Sequence, residues 1–327
     1  MKVPIWMPQL ALLTLLLGMA SVSASAQDLG ADAPIDLPKP AGIILRSDLA
    51  YDVHVQQRLD LYLPAGRPAH PRPVIVYLHG GGWHRGSKDD GRRLAFHFAA
   101  QGYAVACVDY RLSSDVEYPA QLEDSKSAVR WLRDNAERYG LDPDHIGVVG
   151  VSAGGHLAAL MGALNSNRLY ESGGSMDQPS RVQAVCDFFG PVDLLQLYET
   201  SKVLGTPQAD EIAQLLGGDP HVVKTQALAA NPVPFIDAET PPFLIIHGDK
   251  DTTVPLEQSQ LLYDSLVKKH IGAHLHVIHG AGHTGPAYIA PEITDMVDGF
   301  FALTLKKGTS PSNPDLTSFT ESDAAKK

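Results

Sequence analysis

Cysteine is scarce. The 327-residue chain holds only Cys107 and Cys186, which excludes a disulfide scaffold. Each sits inside an apolar run, 103–108 and 185–189. An oxidising compartment would permit a bridge between them, but cysteines in such runs act more often as small hydrophobes, so two core thiols are expected. Positive charge is also short, with 26 Lys+Arg against 37 Asp+Glu and a formal net charge of −11. A surface that acidic repels nucleic acid and anionic membranes. Neither H-E-x-x-H nor C-x-x-C spacing occurs despite 14 histidines, so no dedicated metal site is expected, and no cofactor. No internal repeat and no Gly/Ser linker divides the centre. The 44% hydrophobic and 19% charged content excludes disorder and collagen-like sequence.

The apolar run from Leu10 to Ala20 falls short of the roughly 20 residues that span a bilayer. One cation, Lys2, precedes it, and the small residues Ser21 to Ala26 follow. That pattern predicts a signal peptide over 1–26, cleavage after Ala26, and a secreted or periplasmic protein with no stable membrane anchor. Residues 27–44, rich in Pro, Asp and Gly, are expected to be a loose leader, and 306–327, poor in apolar residues, a disordered tail.

Between these ends, strand-like and helix-like segments alternate. Residues 58–63 carry the period-two alternation of a half-exposed strand. Segments 73–78, 103–108, 145–151, 182–188, 242–246 and 275–278 are short, and most are apolar throughout, as strands buried on both faces should be. Helices are expected over 123–139 (stopped by Gly140), 153–163, 256–269 and 291–305. This order predicts an α/β fold, a mostly parallel central sheet with helices on both faces. Residues 193–234 break the alternation with irregular, partly apolar sequence, and are expected to form a lid-like or pocket-wall insertion.

Four motifs follow strands in turn. His79-Gly80-Gly81-Gly82-Trp83 is a glycine run whose bare backbone can approach an anion. Gly150-Val151-Ser152-Ala153-Gly154 joins a strand to a helix, where a serine hydroxyl stands above the sheet edge and its neighbours must be small. His247 to Pro255 supplies two carboxylates, Asp249 and Asp251. Gly280-Ala281-Gly282-His283 places a histidine on a glycine-flanked loop. Serine, then aspartate, then histidine is the chain order of α/β-hydrolases. His276 and His279, close by, are expected on the strand. His79 and His156 are expected to be structural, bonding the glycine loop and the helix.

The motifs, together with Asp109 to Leu112, Tyr118-Pro119, Arg130 to Leu132, Gly140 to Pro143 and Val151 to Leu157, resemble an α/β-hydrolase-fold serine carboxylesterase of the hormone-sensitive-lipase-like branch. The resemblance is to the secreted bacterial feruloyl/acetyl-xylan-esterase-like group and spans about 59–301. It implies one catalytic domain over 45–305 that hydrolyses short-chain acyl, acetyl or feruloyl esters, on small molecules or polysaccharide. A small peptidase or amidase on the same fold, or a polyester-active esterase, is the alternative. Ser152 would be the nucleophile, His283 the base and Asp251, by the pattern H-G-x-x-D-x-x-V-P, the acid in preference to Asp249. The oxyanion would be held by backbone N–H groups of Ala153 and of Gly81, Gly82 or Trp83. The Trp83 ring either binds substrate by stacking or packs the loop. Arg111 and Asp124 resemble a structural ion pair beneath the site.

Overall fold

The short apolar runs become strands because each is buried on both faces, with its ladder completed by neighbours. The computed structural model describes residues 38–306. The strands are β1 (Ile43–Ala50), β2 (Arg58–Pro64), β3 (Arg72–Leu78), β4 (Ala104–Val108), β5 (Leu141–Val151), β6 (Ala184–Phe188), β7 (Phe243–Gly248) and β8 (Ala273–Ile278). They form one sheet in the order β1-β2-β4-β3-β5-β6-β7-β8. Pairing from β4 through β8 is parallel, and β2 runs antiparallel to both β1 and β4. The helices are α1 (Arg92–Ala100), α2 (Ala120–Asp134), α3 (Ala136–Tyr139), α4 (Ala153–Ala163), α5 (Leu194–Leu204), α6 (Gln208–Leu216), α7 (Lys224–Ala229), α8 (Glu257–Lys268) and α9 (Pro291–Leu305).

Alternation along β3 shows how the layers are built. Val74, Val76 and Leu78 face a core with Leu122, Val129 and Leu132 of α2, Leu157 of α4 and Leu262 of α8. Ile75 and Tyr77 face the other core, with Phe96 and Phe98 of α1 and Val297, Phe300 and Phe301 of α9. The fold is an α/β-hydrolase sheet with helices on both faces. Cys107 on β4 and Cys186 on β6 are free and fully buried.

Four details differ from the sequence reading. Strand β1 begins at Ile43, inside the segment read as leader. It is exposed over Arg46–Asp48 and bulged between Arg46 and Leu49, and pairing with β2 together with burial of Ile43 in the α1/α9 core orders it. Strand β2 is buried from Leu59 to Leu63 and is not half-exposed. Its polar positions are covered, Tyr62 by the edge of Phe96 at 5.6 Å and Asp60 by Lys88 Nζ at 3.6 Å. The expected 123–139 helix starts at Ala120 and breaks at Asn135 into α2 and α3, with Gly140 left-handed as the stop. The 193–234 insertion is helical, not irregular. Asp193 caps α5 by accepting from the Gln196 N–H at 3.0 Å, and left-handed Gly205 and Gly217 end α5 and α6. Leu194, Leu197, Ile212, Leu215 and Leu216 bury one side of these helices in the α2/α4 core.

The signal-peptide reading for 1–26, leader residues 27–37 and tail residues 307–327 lie outside the described residues. Among the described residues no helix is long and apolar enough to cross a membrane.

Candidate active site

Strands β3, β5, β7 and β8 all end at one sheet edge, and each motif leaves its strand there. Ser152 follows β5 with φ 53° and ψ −117°, a strained turn for a residue with a Cβ. Its N–H donates to Phe188 O at 2.8 Å, and its carbonyl accepts the first α4 bond from the His156 N–H at 3.0 Å. The hydroxyl makes no cap bond to α4. It stands 2.9 Å from His283 Nε2 instead. The glycines permit this turn. A Cβ on Gly150 would lie 2.0 Å from Gly154 O, and one on Gly80 would lie 3.0 Å from Val151 O. The glycine loop therefore rests directly on the serine turn.

His283 Nδ1 donates to Asp251 Oδ2 at 2.7 Å, which leaves the Nε2 lone pair to accept from the Ser152 hydroxyl. The Phe189 ring lies 4.7 Å from the imidazole, and Tyr288 Oη donates to Gly282 O at 2.7 Å, tying down the histidine loop. Asp251 Oδ1 accepts from the N–H groups of Thr253 and Val254 at 2.8 and 2.9 Å. Burial pushes its carboxyl up, but hydrogen bonds from His247 and His283, the His283 charge and the Val254 amide outweigh it and hold the group at about 2. Asp251 is thus ionised where a histidine needs an anionic partner. Asp249 serves elsewhere. It accepts from the Gly280 N–H at 2.7 Å and meets His279 Nδ1 at 3.1 Å. His279, expected on the strand, lies instead in the turn after β8 (Ala273–Ile278) and is 80% exposed. His276 is on β8.

Gly81, Gly82 and Trp83 have φ of 100°, 58° and 61°, a run of left-handed residues that carries the loop past Ser152. The Gly81 carbonyl accepts from the N–H groups of His84 and Arg85. Ala153 opens α4, so its N–H has no acceptor within the helix. Trp83 is 3% exposed and meets the edge of His156 at 5.4 Å. Packing, not stacking on substrate, describes its ring. His79 Nδ1 bonds Gly80 O at 2.8 Å, while His156 Nε2 donates to Ala230 O at 2.7 Å and ties α4 to the insertion. Burial lowers the His156 pKa to about 4. Arg111 and Asp124 form the expected ion pair, at 2.7 Å.

Two contacts escaped the sequence reading. Glu211 of α6 meets His84 Nε2 at 3.2 Å, and its Oε2 would lie 2.5 Å from a Cβ on Gly82. The insertion therefore reaches the glycine loop. Second, His247 Nε2 lies 3.1 Å from Asp251 Oδ2. The signal for it was the histidine inside the H-G-x-x-D motif itself. Among the described residues no three His, Cys, Asp or Glu side chains gather to hold a metal.

The BD-FAE family model matches residues 59–266. Esterase LipC of Mycobacterium tuberculosis is 30% identical over 243 residues, covering 73% of this chain and 59% of its own. The probable carboxylic ester hydrolase LipM of the same organism is 33% identical, covering 59% of this chain and 44% of its own. The chain thus spans about half the length of the curated relatives it matches. Among solved structures, a truncated carbohydrate esterase from gut microbiota is 30% identical with a TM-score of 0.69, covering 80% of this chain and 97% of that one. Esterase Est2 of Thermogutta terrifontis is 29% identical with a TM-score of 0.63, covering 80% and 92%. The serine turn, the sheet order and a family model that spans the glycine loop and the aspartate motif agree: the chain belongs to the BD-FAE family of α/β-hydrolase fold.

Proposed function

We propose that this protein is a serine carboxylic ester hydrolase. The hydrogen-bonded line from Ser152 Oγ through His283 to Asp251, at 2.9 and 2.7 Å, carries the reading, and the esterase names of its relatives support it. Ser152 Oγ attacks the ester carbonyl as its proton passes to His283 Nε2. Asp251 stabilises the resulting imidazolium and keeps Nδ1 protonated. The tetrahedral oxyanion is held by the N–H of Ala153 and by N–H groups from the Gly81–Trp83 stretch. His283 then gives its proton to the leaving alcohol as the C–O bond breaks. Water attacks the acyl-serine by the same route, releasing the acid and restoring the hydroxyl.

The acyl group is short, acetyl above all, and the alcohol is a carbohydrate. The gut-microbiota neighbour is named a carbohydrate esterase, and Est2 was also solved with propionate and with butyrate. The catalytic domain runs from Ile43 to Leu305, and the protein is exported after cleavage at Ala26. Finding Gln27 at the N-terminus of secreted protein supports that cleavage, and finding Met1 there removes it.

Purified protein should hydrolyse p-nitrophenyl acetate and react with a fluorophosphonate at Ser152, and Ser152→Ala should abolish both. Turnover that survives Ser152→Ala overturns the reading. Across acetyl, butyryl, octanoyl and feruloyl esters kcat/KM should be highest for acetyl, and a feruloyl maximum would reassign the acyl pocket.

A further inference from the structure

Asp251 serves two imidazoles. His247, the penultimate residue of β7, is fully buried, with Nε2 2.8 Å from Val254 O and 3.1 Å from Asp251 Oδ2. A carbonyl only accepts, so Nε2 carries the proton and donates it to Val254 O, with Asp251 Oδ2 at 3.1 Å beside the same N–H as an electrostatic contact. Nδ1 is then a lone pair, and Ser259 Oγ of α8, also fully buried, donates to it at 2.6 Å. The tautomer is fixed from both ends. With Thr253 and Val254 holding Oδ1, the His247 contact at Oδ2 restricts the carboxylate's remaining freedom, its rotation about the last side-chain bond. Oδ2 keeps one lone-pair direction for His247 and presents the other to His283.

Resting on the esterase reading above, we propose that His247 and Ser259 are positioning residues that set the rotation of Asp251, and through it the aim of His283 at Ser152. Ser259→Ala removes the donor that anchors His247 Nδ1; Val254 O still keeps the proton on Nε2, but the ring can shift in its plane and its contact with Asp251 loosens. A nonpolar residue at 247 removes the donor outright. The chemistry depends on alignment, and misplacement of about 1 Å costs ~10²-fold in rate.

The test compares kcat and KM of His247→Leu, His247→Gln and Ser259→Ala on p-nitrophenyl acetate, and repeats His247→Leu in an Asp251→Ala background. His247→Leu should lose about 10²-fold in kcat with KM within about twofold. His247→Gln, whose amide keeps a donor near the Nε2 position, should recover most of that loss. Ser259→Ala should lose about tenfold, the kinetic equivalent of one ordinary hydrogen bond. With Asp251 already absent, His247→Leu should cost under about twofold more, because its effect passes through that carboxylate. Equal losses from Leu and Gln, unchanged kcat in Ser259→Ala, or a full additive loss in the Asp251→Ala background each overturn the proposal. If His247→Leu does not fold, Ser259→Ala and His247→Gln decide alone. A wild type that neither turns over the ester nor reacts with the fluorophosphonate sinks the esterase reading. A fully active wild type with a fully active Ser259→Ala sinks only this inference.

Discussion

A methyl group on Gly154 would lie 2.1 Å from the carbonyl oxygen of Leu78, so helix α4 meets the end of β3 backbone against backbone. No side-chain rearrangement relieves such a contact. Ser152 stands two residues before it.

Gly154→Ala should therefore push α4 from β3 and swing Ser152 off His283. The expected loss is about 10²-fold in kcat on p-nitrophenyl acetate, with a lower thermal midpoint. Gly282, beside His283, provides the contrast. A Cβ there meets nothing nearer than Lys250 O at 3.9 Å, so Gly282→Ala should keep kcat within about threefold. Equal tolerance at both sites would mean that the α4–β3 approach does not set the serine.

Glu211 should matter more for activity than for stability. Its pair with His84 is partly exposed, and such pairs contribute only about 0–1 kcal/mol. Its carboxylate nevertheless covers Gly82 in the loop assigned to oxyanion binding. Glu211→Ala is expected to lower kcat about tenfold while moving the urea midpoint little. Glu199→Ala, on the exposed pair with His221 in the same insertion, should change neither. A Glu211→Ala enzyme with wild-type kcat would reduce the insertion to a bystander at the glycine loop.

The sheet and the motifs of the candidate site are legible because their signals are local. An apolar run, a glycine and a polar residue fall within ten positions, as from Ile146 to Gly155. What escaped depends on partners distant in sequence. Strand β1 lacks a period-two pattern, and its pairing with β2 and the burial of Ile43 come from partners far along the chain. The insertion carried readable signs, the cap at Asp193 and the stops at Gly205 and Gly217, but its short helices take stability from the core below, not from length. Glu211 meets His84 across 127 residues, and no spacing rule anticipates such a contact. Trp83 suits substrate or core equally in sequence, and its packing against His156 is visible only in three dimensions.

Asp187 on β6 should make stability fall as pH rises through mildly acidic values. Burial pushes its carboxyl from the usual 3.8 to about 6, against the pull of the Gly190 N–H. Between about pH 4 and 6 the folded state holds a proton that the unfolded chain has released, so stability declines across that window and stays lower above it. The full penalty is about 3 kcal/mol. Asp187→Asn removes the titration, so its stability relative to wild type should be greater at pH 8 than at pH 4 by about 2–3 kcal/mol. Urea unfolding at the two pH values measures it, and a pH-independent difference would show that the buried carboxyl does not titrate in this range.

Arg133 of α2 should be a stability residue with no part in turnover. Its guanidinium fans onto three carbonyls, Nε to Pro143 at 2.9 Å, Nη1 to Pro179 at 2.7 Å and Nη2 to Arg181 at 2.6 Å. One turn back, Arg130 reaches Ser172 and Gly174 O, and two turns back Lys126 reaches Asn167 and Leu169 O. The 165–181 segment, which has no helix or strand of its own, is thus fastened to α2 by three cations through its backbone. Burial lowers the Arg133 pKa to about 10, which still leaves it charged at neutral pH. A lysine lacks the planar fork and would reach only part of this set, leaving buried acceptors unpaired at about 1–3 kcal/mol each. Arg133→Lys should therefore cost about 3 kcal/mol in urea unfolding and speed proteolysis within 165–181, with kcat unchanged. Arg138→Lys, at an exposed position against Tyr139, should do none of this. If Arg133→Lys unfolds at the wild-type midpoint, the guanidinium fork is not what holds the segment to the helix.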